Sequence, residues 1–394
     1  MQIATYPDNI LSFKSNPLIN TTSFIEDRVL LNKALLDGAR DTSMILKTNN
    51  KDEQEERIRK SCIVWCTAFL TPLITLPLTN KLAMKHIAKL TKSYFSKDNA
   101  LIKLSNKYLS SADDTKQGID ELSNKYDFTD ILKNNNYDYE KIRKKLINAK
   151  TSVLAFDFLF TTTLFGSVGF INRWQTRKKT GRDGFSAEFN MADEDLVERR
   201  AEKFKKTEKL RNNIFIISLL LLTASPLLLR KGLLAKKGNL AGFAHKHAER
   251  FDYNDGIFMK RLPFLLMTLV SDIGQILSVR NETEVKDQAV RLSSTQIAFF
   301  GGDIVIGSTL ATLSDKLFKT ELLDKNCKKN WINKIIPPIK SIRDLQGKNK
   351  AIATGLFWIN MLALFGILGV TIPNMMNKMI KHDVEKDAEK TSTK

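Results

Sequence analysis

Cysteine is nearly absent. Cys62, Cys66 and Cys327 are the only three in 394 residues, and so few thiols exclude a disulfide framework. Cys62 and Cys66 sit one helical turn apart and read as small packing residues rather than metal ligands. Histidine is as sparse, with four in the chain. His245 and His247 are two positions apart, so on a helix they point in different directions and cannot form the paired-His face of a zinc protease. The Gly-Gly-Asp at 301–303 is followed by no Lys-Ser/Thr, and no G-x-S-x-G elbow occurs anywhere, which excludes the common phosphate-binding and hydrolase signatures. No catalytic residue, metal ligand or cofactor is therefore assigned. The stretch 1–18 carries Asp8, Lys14 and two prolines but no apolar core, so it does not read as a cleavable signal peptide. The first apolar segment is the expected insertion signal.

Charge is abundant but unevenly spread. A mean hydropathy of -0.22 and 27% charged residues look soluble on average. Six stretches nevertheless contain no Lys or Arg: 61–79, 152–172, 213–229, 262–279, 296–314 and 351–376. Most reach the roughly 17–25 residues a helix needs to cross a bilayer, whereas a soluble helix of that length carries a charged face. The expectation is an all-α, polytopic integral membrane protein with five or six transmembrane helices and amphipathic surface helices in its loops. A net charge of +19 suits anionic lipid headgroups, and no nucleic-acid motif accompanies it. The lipid bilayer is thus the expected partner, nucleic acid is not, and the small-residue spans allow a homo-oligomer.

Five regions follow along the chain. Residues 1–60 are polar with one amphipathic helix near 25–46. Residues 61–180 hold the first two apolar segments around a polar insert, 81–150, which reads as short helices on the membrane surface. Residues 181–257 combine a charged helical linker with the third segment, 258–380 hold the last three, and 381–394 reads as a charged disordered tail. The abundance of Lys, Asn and Ile is that of an AT-rich genome, which favours a bacterial inner membrane. Lys and Arg divide almost evenly between alternate loops, so charge does not orient the chain.

Several patterns recur. Leu164-Phe165-Gly166-x-x-Gly169 returns as Leu364-Phe365-Gly366-x-x-Gly369. Asp41, Ile45, Leu46, Asn50 and Glu53 match Asp272, Ile276, Leu277, Asn281 and Glu284 at one constant offset, and Arg59 and Ser61 match Arg291 and Ser293 one residue later. These point to a degenerate internal repeat. The fourth segment decides its sense: nine apolar residues precede Asp272, and if the segment does not cross, the copies are inverted.

Burying a charge in a bilayer costs at least about 2.5 kcal/mol, so acids inside apolar segments are the first functional candidates. They are Asp303, Asp157 and Asp272, with Asp303 the deepest in its apolar run. The alternative for each is a protonated or hydrogen-bonded structural carboxyl. Gly166, Gly169, Gly302, Gly307, Gly366 and Gly369 are placed for close helix packing. Together these features suggest a transporter- or channel-like protein lined by Asp303 and Asp157. The competing reading is a scaffold that binds anionic lipid through its basic loops, and a third is an intramembrane lipid-modifying enzyme.

Overall fold

The computed structural model describes residues 16–48, 50–89, 100–189, 191–235, 237–254, 258–324 and 337–392. Among them, all regular structure is helical apart from an antiparallel pairing of Tyr253–Asn254 with Phe258–Met259 and one isolated bridge, Leu323 to Ile339. In chain order the helices used below are α1 (Pro17–Glu26), α2 (Val29–Leu46), α3 (Lys51–Leu70), α4 (Leu76–Leu82), α5 (Ala112–Ser123), α6 (Tyr139–Thr180), α7 (Glu194–Lys205) and α8 (Glu208–Leu234). They continue with α9 (Asn239–His247), α10 (Arg261–Leu277), α11 (Glu282–Gly302), α12 (Ser308–Phe318), α13 (Gly347–Gly366) and α14 (Ile372–Ser392). Wider π-helical turns join α3 to α4 (Thr71–Thr75), α11 to α12 (Asp303–Gly307) and α13 to α14 (Ile367–Thr371).

Local chemistry sets the ends of the longest helix. At the start of α6 the Asp138 carboxylate accepts from the Lys141 amide at 2.9 Å. At its end Gly181 takes φ +76, where its amide reaches the Arg177 carbonyl. Between these caps lie 42 residues, about 63 Å of helix at 1.5 Å per residue, roughly twice a bilayer's hydrocarbon core. In α8, Pro226 sits inside the helix and withholds its amide from Leu222. The Ser225 hydroxyl donates to that same carbonyl at 2.7 Å, so an apolar helix keeps its proline without an orphaned acceptor.

Four helices are long and apolar enough to cross a membrane: Tyr139–Thr180, Glu208–Leu234, and the continuous runs Glu282–Phe318 and Gly347–Lys386. They contain the apolar segments expected at 152–172, 213–229, 296–314 and 351–376. Four such helices are present among the described residues, against the five or six expected. Segment 61–79 is divided between α3, which begins in a charge-dense stretch, the π turn and the short α4. Segment 262–279 forms α10, a helix of 17 residues that carries Arg261 and Asp272. The charged tail, expected to be disordered, instead continues α14 to Ser392.

The chain divides into two compact units that do not follow chain order: Met1–Thr48 with Ala289–Lys386, and Asn49–Gln288 with Asp387–Lys394. In the second unit, part of the polar insert builds a core. Leu101, Leu104, Leu109, Ile119 and Ile131 bury against Ile142, Leu146 and Ile147 of α6 and Leu229 and Leu233 of α8. Polar clamps close that core. Buried Asp252 accepts from Lys150 Nζ at 3.0 Å, Ser105 Oγ at 2.7 Å and the Asn106 amide at 2.8 Å. Arg143 donates to the carbonyls of Leu109 and Leu233 at 3.0 and 3.1 Å.

In the first unit, α2 lies along the Ile367–Thr371 turn and α13. Its charges are paired among themselves, Lys33 and Arg40 with Asp37 and Arg40 also with Asp41, which lets a polar helix be half-buried. A small core of Ala311, Leu322, Ile342 and Ala353 lies between α12, the segment around Ile342 and α13.

Candidate functional site

The densest polar chemistry in the second unit gathers where α3, α6 and α10 meet the α10–α11 connection. Arg280, 3% exposed, sits in that connection. Its guanidinium binds Glu56 of α3 through both terminal nitrogens, at 2.7 and 3.1 Å. It also donates to Glu284 of α11 at 2.8 and 3.0 Å, and its own amide reaches Glu284 at 2.7 Å. Asn172 of α6 donates to Glu56 at 3.3 Å, while Arg59 donates to Asn172 at 3.2 Å and to Thr176 at 2.6 Å. Beside them lies Glu188, fully buried in the turn Ser186–Glu188, which accepts from Arg200 of α7 at 2.9 Å and from Asn281 at 3.0 Å.

Helix capping delivers these groups. Asn50 accepts from the Glu53 amide at 2.8 Å and begins α3. Asn281 accepts from the Glu284 amide at 2.8 Å and begins α11. Each cap leaves its side-chain NH2 free to donate, Asn50 to the carbonyls of Ser186 and Phe189 and Asn281 to Glu188.

Burial raises the Glu56 carboxyl, but the Arg280 charge, with hydrogen bonds from Arg280, Ser186 and Thr176, outweighs it and holds the group below its usual value of 4.5. Burial likewise lowers Arg280, and the flanking Glu284 and Glu56 more than reverse this. At Glu188 burial dominates: Arg200 and Asn281 offset it only in part, and the carboxyl is raised. Two opposite pH dependences follow. A depressed Glu56 stabilises the fold above 4.5 and loses that contribution as pH falls below it. A raised Glu188 contributes below 4.5 and loses it as pH rises through its elevated value. Thermal unfolding followed from pH 3 to 8 should therefore steepen below about 4.5 in the parent. Glu188→Gln should flatten the decline on the higher side alone, and an unchanged profile there would remove Glu188 from the account. Every charge here has a partner, so the cluster acts as a clamp on helix ends rather than as an open reaction centre.

The acids expected from sequence fall elsewhere. Asp157 is buried in the apolar half of α6, 6% exposed, and accepts from the Thr161 hydroxyl at 2.7 Å and the Tyr253 hydroxyl at 3.1 Å. A carboxyl held by two neutral hydroxyls has the chemistry to keep or exchange a proton or a cation. Asp272 is half-buried in α10 and has an interaction partner. Asp303 opens the π-helical turn between α11 and α12; its side chain lies outside the described residues. Asp157 and Asp272 belong to one unit and Asp303 to the other.

The glycines differ among themselves. A Cβ on Gly166 would stand 2.4 Å from the Phe215 ring, and one on Gly169 would overlap the Ser278 hydroxyl. Gly302 faces Leu364 at 3.0 Å, Gly307 faces Ile339 at 3.1 Å, and Gly369 meets Ala39 and Ser43 at 3.5 and 3.6 Å. At Gly366 nothing lies within 4 Å. Cys62 and Cys66 are exposed rather than packed, and line an apolar groove of about 490 Å³ with Thr67, Thr71, Thr75 and Phe160. Among the described residues no group of His, Cys, Asp or Glu is arranged to hold a metal.

The Arg280 cluster was not anticipated, because its members lie in charge-rich stretches that read as solvated. The pattern Asn-x-x-Glu at 50–53 and 281–284, a helix-start signature, was the available signal. Glu188 carried none. No family model, curated protein or solved structure matches this chain.

Proposed function

We propose that this is an integral membrane protein of transporter- or channel-like function, with Asp303 and Asp157 as its working acids. The membrane location rests on which side chains face outward. Along α8, Ile217, Leu220, Leu221 and Leu228 are each more than half exposed, as are Leu73, Leu78, Ile297, Val305, Leu362 and Val370 on the other apolar runs. So much outward aliphatic surface is costly in water and favourable in hydrocarbon. A cell membrane, bacterial by composition, is the assigned setting.

The observation that carries the transport reading is the interruption of apolar helices by π-helical turns, one of which begins at Asp303. Such turns offer backbone groups outside the regular ladder and recur at functional sites, and broken helices frame the midplane sites of many transporters. Buried Asp157 adds a second acid within an apolar run. The test is flux in proteoliposomes driven by a proton or monovalent-cation gradient. Asp303→Asn should reduce coupled flux by an order of magnitude or more while leaving the melting temperature near the parent's. Unchanged flux removes Asp303 from the mechanism.

A second reading, binding of anionic lipid, is favoured by one local feature. At the end of the apolar run of α6, Trp174 is 61% exposed, and the Lys178 ammonium lies 5.5 Å from its ring. An exposed Trp beside a cation at a span's end suits the headgroup layer. Titrating phosphatidylglycerol into the detergent-solubilised chain should raise its melting temperature in a salt-sensitive way, and Lys178→Glu should weaken that rise. A rise that ignores salt and the substitution would dismiss this reading.

A further inference from the structure

We infer that the chain contains two copies of a three-helix unit, set in the same orientation, that have exchanged their first helices. Copy one is α2, the interrupted helix α3–α4, and α6. Copy two is α10, the interrupted helix α11–α12, and the interrupted helix α13–α14. Helix α8 joins them and has no counterpart.

Three observations beyond sequence similarity agree on this pairing. The first is where helices start and break. Shifted by 231 positions, Val29–Leu46 falls on 260–277 and Lys51 falls on Glu282, which match the bounds of α10 and the start of α11. One residue of slippage later, the turn Thr71–Thr75 falls on the turn Asp303–Gly307. That is the same slippage that aligns Arg59 with Arg291 and Ser61 with Ser293. Two of the four π-helical turns among the described residues coincide at this register, whereas Ala83–Ile87 falls on the end of α12 and Ile367–Thr371 on the unbroken α6.

The second is the cap. Asn50 and Asn281 correspond, and each accepts from the amide of its own Glu three residues on, at 2.8 Å in both cases. Each then donates into the single turn 186–189.

The third is the partner of each repeated glycine motif. Gly166 packs on Gly274 of α10 and Gly169 on Ser278, the residue that caps α10, both in copy two. Gly369 packs on Ser43, whose hydroxyl donates to its carbonyl, and Lys47 donates to the same carbonyl at 3.5 Å, both near the end of copy one's α2. Ser43 and Lys47 are the positions that correspond to Gly274 and Ser278. Each copy's motif thus holds the other copy's first helix. This also accounts for compact units that ignore chain order, because α2 clusters with 289–386 and α10 with 49–288.

Orientation follows from the caps. Both interrupted helices begin at the same 186–189 turn, so they start on the same face, and the copies are parallel rather than inverted. Within the second unit α10 also runs beside α6 in the same sense, with Gly274 and Ser278 meeting Gly166 and Gly169 in order. By the same register Asp303 corresponds to Thr71, a buried hydroxyl lining the groove beside Cys66 and Thr75.

The exchange is tested by disulfide trapping in the full chain, with Cys62, Cys66 and Cys327 replaced by Ser and a protease site inserted after Lys237. Lys47→Cys with Asn374→Cys should, on oxidation and cleavage, hold the two fragments together, since Lys47 Nζ lies 3.0 Å from Asn374 Oδ1. Lys47→Cys with Trp174→Cys, the corresponding position of its own copy, should leave its thiols free. The reverse outcome overturns the exchange. Orientation is read separately with a membrane-impermeant maleimide in sealed vesicles: Lys51→Cys and Glu282→Cys should label from the same face, and labelling from opposite faces overturns the parallel arrangement. This second assay rests on the membrane reading, whose own failure would appear as both sites labelling at every face with the cross-linking result intact.

Discussion

Replacing Arg280 with Ala should destabilise the protein by about 3–5 kcal/mol, the usual cost of stripping one partner from a buried ion cluster. The side chain is 2% exposed, and its loss leaves Glu56 and Glu284 facing each other with no cation between them. Two desolvated carboxylates stripped of their shared cation disfavour joint ionisation, so at least one takes up a proton or the helix ends part. The same logic predicts a rescue. Arg280→Met combined with Glu56→Gln and Glu284→Gln removes the uncompensated charge and should recover most of the loss. Thermal or denaturant unfolding of the purified chain in one detergent measures both. A single variant as stable as its parent would mean that these carboxylates are solvated, which would also remove the acid-side pH dependence expected from Glu56.

The parts of this fold legible in the sequence are those governed by exclusion. The runs 152–172, 213–229, 296–314 and 351–376 lack Lys and Arg, and each lies in a helix long enough to cross a membrane. What the sequence concealed depends on partners. Thr71 and Pro72 look like ordinary interruptions of an apolar run, and only the backbone shows a π-helical turn at the register of Asp303. The spacing of Leu101, Leu104 and Leu109 does not show what they pack on, which is Leu146, Ile147 and Leu233. Arg280 and Glu56 are 224 positions apart, so no local pattern joins them. The helix-start pattern at Asn50 and Asn281 was visible, but its convergence on one turn needed coordinates.

The sharpest packing contrast lies between two glycines at the meeting of α6, α8 and α10. Gly274→Ala and Gly166→Ala should both destabilise the fold, by about 1–3 kcal/mol each, because added volume in a filled interface forces its neighbours to move. They should differ in how they are rescued. Around Gly166 the three atoms nearest the new methyl all belong to the Phe215 ring, at 2.4, 2.7 and 3.4 Å. Around Gly274 it meets that ring at 2.6 Å and also the Gly166 Cα at 2.8 Å. A side chain can be shortened, whereas a backbone atom yields only if the whole helix shifts. Phe215→Leu should therefore relieve most of the Gly166→Ala penalty but little of that from Gly274→Ala, when each pair is compared as a double-mutant cycle. Equal relief in both cycles would place the two helix backbones further apart than a small-residue contact requires. Unequal relief would tie α10 to α6 along its apolar face, despite a length of only 17 residues.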